Sequence, residues 1–235
     1  MKLSRIIRWL DGVLDPGSFD DVSNNGVQIA APGKDVELVA FGVDASASFV
    51  AEAVRRGAGL CVVHHGISWG GGIKRIDGGV GEVVRAAILG GAALYASHLP
   101  LDAHRKLGNN AGIARRLKLV RNVPAFEYHG NVIGLAGIAS KSGIFRIGDV
   151  EIALEKGEKV GVCSGGGGEF AEDAKRLGCD LFVTGEASWG ETVAAKNCSM
   201  RMVCAGHYET EVFGVQALAA EAAKSLGVET VFVRE

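Results

Sequence analysis

The sequence predicts an α/β protein of two similar lobes with mostly parallel sheets, and three observations carry that prediction. Residues 51–70, AEAVRRGAGLCVVHHGISWG, lie over residues 171–190, AEDAKRLGCDLFVTGEASWG, without a gap, sharing the opening AE, a basic pair, an apolar run and the closing SWG. Treating GGIKRIDGGVG (71–81) as an insertion, EVVRAAILGGAALYASHLPLD (82–102) then lies over ETVAAKNCSMRMVCAGHYETE (191–211). Second, near-continuous apolar runs at 38–43, 60–63, 93–96, 160–163, 181–183 and 202–205 suit strands buried on both faces, with helical patterns between them, as parallel α/β construction requires. Third, 35 glycines accompany only four prolines, about twice the average glycine usage, which calls for many tight turns and close backbone approaches.

Taken in order, MKLSRIIRWLDGVLD places Ile6, Ile7, Leu10 and Leu14 at helical spacing, an amphipathic helix without the unbroken apolar core of a signal peptide. The first lobe is expected over 1–125. Connecting strands follow over 126–150, where NVIGLAGIA and FRIGDVEIA alternate, and the second lobe occupies 151–235. No window approaches the ~20 apolar residues that cross a bilayer. Net charge is −2 with signs interspersed, which leaves no electrostatic footprint for nucleic acid or an anionic membrane. The five cysteines, Cys61, Cys163, Cys179, Cys198 and Cys204, lack CxxC spacing and read as reduced core residues of a cytoplasmic protein.

Ligands of open parallel sheets collect at the carboxyl ends of strands. Each copy of the repeat ends on such an edge with HxxxD (His98, Asp102) or HxxxE (His207, Glu211). A spacing of four sets an imidazole and a carboxylate one helical turn apart, a two-point grip on a transition metal. His64 and His65 close a third apolar run. Adjacent extended residues point oppositely, so this pair suits one ion each, and a bridging carboxylate could join the two ions.

VVHHGISWG, SHLPLDAH and GHYETE resemble the three metal-binding motifs of the NIF-three-like dinuclear metal-centre family, whose members carry the label GTP cyclohydrolase 1 type 2. NNGVQIA (24–30) resembles its N-terminal signature and GCDLFVTGE (178–186) its second-lobe strand. The resemblance implies two divalent ions per chain (zinc, iron, manganese, nickel or cobalt) in the cleft between two α/β lobes, and a ring-shaped homohexamer. It assigns His64, Asp102 and Glu211 to one ion and His65, His207 and Glu211 to the other, with His98 near both as a proton-transfer or supporting residue. The expected activity is hydrolysis of a nucleotide or phosphorylated heterocycle, a small-molecule substrate, through a metal-bridging hydroxide. The alternative is a non-catalytic metal carrier or regulatory adaptor.

Glu186, in VTGE, is expected either to act with His98 as a catalytic acid or base or to cap the following helix. GVCSGGGGEF (161–170) is either a phosphate-cradling loop or a turn in which only glycine fits. Trp69 and Trp189 read as packing residues, with Trp69 alternatively flanking the entrance to the site, and His104 and His129 as surface residues.

Overall fold

The computed structural model describes residues 1–31 and 33–234. It is a mixed α/β fold of two five-stranded sheets and one two-stranded sheet. The chain divides into two compact units, Met1–Leu101 with Val215–Glu235, and Asp102–Gly214.

The first unit opens with α1 (Leu3–Leu14), which buries Leu3, Ile6, Leu10 and Leu14 and stops at Asp15 in the left-handed region. Its strands are β1 (Gly26–Ile29), β2 (Leu38–Asp44), β3 (Ala58–His65), β4 (Ala93–Ala96) and β12 (Glu229–Phe232), ordered β1-β4-β3-β2-β12. All neighbours are parallel except β1 with β4. Helices α2 (Ala47–Arg55) and α3 (Gly78–Gly90) supply the crossovers that parallel strands need. One face of this sheet (Ala40, Cys61, Val63, Leu94, Ala96) packs with Phe49, Val50 and Ala53 of α2 and Val83 and Ala87 of α3. The alternate residues Val39, Phe41, Leu60, Val62 and Tyr95 are also buried. Two buried faces explain why these strands read as unbroken apolar runs. The Tyr95 hydroxyl donates to Asp11 of α1 at 2.8 Å.

The second unit holds α5 (Asn109–Arg116), β5 (Leu119–Tyr128), β6 (Asn131–Ala139), β9 (Lys159–Cys163), α6 (Ala171–Arg176), β10 (Leu181–Thr184), α7 (Trp189–Asn197) and β11 (Arg201–Cys204). Its sheet runs β11-β10-β9-β6-β5. The β9, β10 and β11 ladders are parallel, whereas β6 is antiparallel to both β9 and β5. The first sheet is therefore mostly parallel, as expected, whereas the second is evenly mixed. The reason is local: β5 and β6 are joined by His129 and Gly130, both at positive φ, and a two-residue connection of that kind closes only an antiparallel hairpin.

FRIGDVEIA does not extend the main sheet. It folds on itself as the separate pair β7 (Gly143–Ile147) and β8 (Val150–Leu154), whose Ile147, Ile152 and Leu154 pack with Ile113, Leu117, Val160 and Val183. Short α4 (Leu99–Ala103) spans the boundary between the units, and so does α8 (His207–Leu226), after which β12 pairs with β2 in the first unit. Cys61, Cys163 and Cys179 are buried as expected, but Cys198 is half-buried and Cys204 exposed. Among the described residues, no helix is long and apolar enough to cross a membrane.

Close packing fixes two glycines of the second sheet. A Cβ on Gly161 would stand 2.8 Å from Phe126, and one on Gly134 would stand 2.6 Å from both Phe126 and the Val162 carbonyl. Phe126 in turn packs edge-on against Phe182 at 5.2 Å. Gly12, by contrast, lies in the interior of α1, where an added methyl would have nothing within 4 Å. Gly134→Ala should cost about 1–3 kcal/mol and lower Tm by about 2–10 °C, while Gly12→Ala should gain about 0.5–1 kcal/mol, both read by thermal unfolding.

Candidate metal centre

In the first unit the carboxyl ends of β2, β3 and β4 lie side by side, and the ladder register sets Asp44 opposite His65. His64 is fully buried, and its Nδ1 donates to the Ser97 carbonyl at 2.9 Å. His65 donates from Nδ1 to Asp44 Oδ1 at 2.8 Å, and His98 from Nδ1 to Asp21 Oδ1 at 2.8 Å. A hydrogen on Nδ1 puts the lone pair on Nε2, the tautomer and the anchoring seen in metal-bound histidines.

The two adjacent histidines anchor to opposite neighbours of β3, His64 to Ser97 just beyond β4 and His65 to Asp44 of β2, yet their ring centroids lie only 4.6 Å apart. With His98 at 5.2 and 5.7 Å from them, the three form a group whose ligand atoms lie within 4.8 Å of one another, close enough to hold a metal ion. Trp69, 38% exposed, stands 5.9 Å from His65 and 5.3 Å from His98, and so borders this cluster.

The NNGVQIA segment is the scaffold of the cluster. Asn25 accepts from the His98 amide at 2.8 Å and donates to Asp21 at 2.8 Å. Gln28 accepts from the amides of Ile67 and Ser68 at 2.6 and 3.2 Å, which holds the loop after His65. Gly66 is required there, because a Cβ would stand 2.2 Å from the Gln28 oxygen. Burial alone would raise the Asp21 carboxyl. The bond and charge of His98, with bonds from the Ser23 backbone and Asn25, instead bring it down to about 2.

In the second unit Asp102, 7% exposed, accepts at Oδ1 from Asn109 Nδ2 and from Ser164 Oγ, both at 2.8 Å. Asn109 also accepts from the Gly214 amide of α8 at 2.6 Å, and Asn110 accepts from the Ser164 amide at 2.7 Å. At the start of α8, His207 Nε2 lies 3.2 Å from Glu211 Oε1, the one-turn pairing expected from HxxxE, and Nδ1 lies 3.0 Å from Glu186 Oε1. Glu211 is 2% exposed. The bond to Glu211 leads the effects that hold the His207 imidazole up at about 9, against burial and with help from Glu186. Carboxylates on both ring nitrogens make this a place for positive charge.

Glu186 does not cap the following helix, because Ser188 and Glu191 form a reciprocal capping box there. The glycine run is a packed turn. Thr210 accepts from the Gly165 amide at 3.0 Å and Thr184 from the Gly167 amide at 3.1 Å, so these amides are already spent. Gly165 also makes room for the acid, since a Cβ there would stand 2.2 Å from Glu211 Oε1. Trp189 is 76% exposed under the Lys196 ammonium and is no packing residue. His104 is half-buried, accepting from the amides of Lys106 and Leu107, and His129 is the exposed turn residue.

The sequence reading named the histidines and acids but missed Asp21, Asp44, Asn109, Asn110 and Ser164. Asp44 was within reach, because aligning LVAFGVD with LCVVHH in parallel register sets it beside His65. Asp21→Asn should leave buried donors mismatched at a cost of about 1–3 kcal/mol. A carboxyl held below its unfolded value stabilises above about pH 4 and loses that contribution as pH falls toward 2. Acid unfolding should therefore be shallower in Asp21→Asn than in wild type, followed by circular dichroism.

The family model for Duf34/NIF3 (NGG1p interacting factor 3) matches residues 1–235. A Pyrococcus horikoshii protein named GTP cyclohydrolase 1 type 2 homolog is 35% identical, the alignment covering 99% of this chain and 98% of the relative. An Archaeoglobus fulgidus protein of the same name is 37% identical over the same shares of both chains. The crystal structure of TTHA1606 from Thermus thermophilus superposes with a TM-score of 0.79 at 30% identity, covering 100% of this chain and 98% of that one. Matched along its whole length by these relatives and by the family model, the chain belongs to the Duf34/NIF3 family.

Proposed function

We propose that the protein is a dinuclear metal-dependent hydrolase acting on a nucleotide or phosphorylated heterocycle. His64, Asp102 and Glu211 would hold one divalent ion and His65, His207 and Glu211 the other. The observation that carries this reading is the burial of an imidazole and two carboxylates that the family resemblance assigns to metal: His64 at 0%, Glu211 at 2% and Asp102 at 7% exposure. Buried charges of this kind are paired or coordinate metals. The Nδ1 anchors on His64 and His65, and the two donors on Asp102 Oδ1, are the supporting bonds such ligands carry. The relatives' name, GTP cyclohydrolase 1 type 2 homolog, agrees with the substrate class.

A pair of divalent ions, when bound, supplies Lewis acidity and a water acidic enough to act at neutral pH. The chain's own residues supply the proton traffic. His98, oriented by Asp21, presents Nε2 as acceptor or, once protonated, as donor. Glu186, 63% exposed and bonded to His207, can exchange protons with solvent. Opening a purine ring needs a proton delivered to the departing nitrogen, and either group can deliver it. Three protein ligands per ion would leave positions for water and substrate, as catalytic sites require. The family resemblance further assigns a homohexameric ring.

Elemental analysis of protein purified without added metal should give about two divalent ions per chain, falling by at least about half in Glu211→Ala. His98→Gln and Glu186→Gln should keep the metal and lose about 10²–10⁴-fold and about 10-fold, respectively, in GTP turnover. Full metal content without turnover of any nucleotide or phosphoester would instead favour the carrier role.

A further inference from the structure

The second unit gathers five basic side chains along one groove, none of them a residue assigned to metal. Arg115 and Arg116 end α5, Lys118 follows in a left-handed turn, Lys141 lies in the turn before β7 and Arg146 lies on β7. Together with Gly112, Ile144, Phe145 and Phe213 they line one groove of about 660 Å³. The two arginines at a helix C-terminus have an ordinary explanation in the helix dipole. Lys118, Lys141 and Arg146 do not, because they arrive from other segments.

The balance of charge is what singles the groove out. Among the described residues, no carboxylate lines it. Arg146 pairs with Glu151 across the β7–β8 hairpin, but among the described residues no acid stands within ion-pair distance of Arg115, Arg116, Lys118 or Lys141. Arg115 donates to the Lys106 carbonyl, which fixes its position without neutralising it. In a chain whose net charge is −2, converging cations repel one another at a cost that an anionic occupant would relieve. The groove is not purely polar either. Phe145 lies 5.9 Å beneath the Lys141 ammonium, and Ile144 is 67% exposed, so a planar or apolar group has a surface beside the cations.

We infer that this groove binds a small polyphosphorylated ligand of the nucleoside triphosphate type, its phosphates on Arg115, Arg116, Lys118 and Lys141 and its ring against Ile144 and Phe145. The volume lies in the range of single-ligand sites, which favours a small molecule over a nucleic-acid strand that needs a longer track. Arginine forks and lysine point charges are the donors that phosphate oxygens take. The inference uses none of the proposed metal ligands and does not depend on the hydrolase reading.

The test is calorimetric titration of the full chain with inorganic tripolyphosphate, and in parallel with a single-stranded oligonucleotide. The wild type should bind tripolyphosphate saturably, with affinity falling at least about tenfold between about 50 and about 300 mM salt. Arg116→Gln with Lys141→Gln, both on exposed side chains, should weaken it by at least about tenfold without moving Tm, whereas Arg85→Gln on α3 should not. Glu211→Ala should lose metal and keep tripolyphosphate. The inference is overturned if tripolyphosphate does not bind, if the double variant binds it as wild type does, or if Glu211→Ala abolishes binding. Saturable binding of the oligonucleotide alone would likewise overturn it, in favour of a nucleic-acid surface.

Discussion

The proposed metal centre depends on imidazoles fixed through Nδ1. Three rings in the first unit each spend that nitrogen on an oxygen: a backbone carbonyl for His64, Asp44 for His65 and Asp21 for His98. The bond sets the tautomer and the tilt of the ring together, so the Nε2 lone pairs are aimed before any ion arrives. It also removes the rotational freedom that an exposed histidine would surrender on binding. For His64 and His65 a parallel sheet provides this economically, because the ends of neighbouring strands bring donor and acceptor into register, whereas His98 and Asp21 rely on the Asn25 loop.

The second unit reaches the same end by side-chain networks. Asp102 lies on a five-residue helix too short to hold a carboxylate rigidly by itself, and Asn109 and Ser164, from two further segments, complete its support. Glu211 relies on packing: it lies one turn from His207 and against a glycine with no side chain. The glycine run, open in sequence to a phosphate-binding reading, is a spacer that lets a carboxylate approach the backbone.

Much of this was legible in the sequence because burial on two faces and one-turn spacing leave simple traces. The apolar runs at 38–43, 60–63, 93–96, 160–163, 181–183 and 202–205 all became strands, and His207 with Glu211 met as their spacing requires. What escaped were features whose cause lies far along the chain. The strand Leu119–Tyr128 carries five consecutive exposed residues and so lacks the apolar trace, being fixed by its pairing with β6. The chain's return to the first unit after Gly214 depends on where β12 finds an edge. Asp21 and Asn109 look like ordinary loop and helix-start residues until their partners, 77 and 7 positions away, are known.

The double duty of Asn109 has a chemical corollary. Its amide nitrogen gives a proton to one acid while its amide oxygen takes one from the main chain, so the group can adopt a single orientation. Hydrolysis of that amide to a carboxylate, a common ageing reaction of asparagine, would change its mass by almost nothing and keep its shape, yet turn a donor into an anion facing Asp102. Old protein would then carry a lesion at its acidic heart that lowers its stability and that charge-sensitive separation reveals.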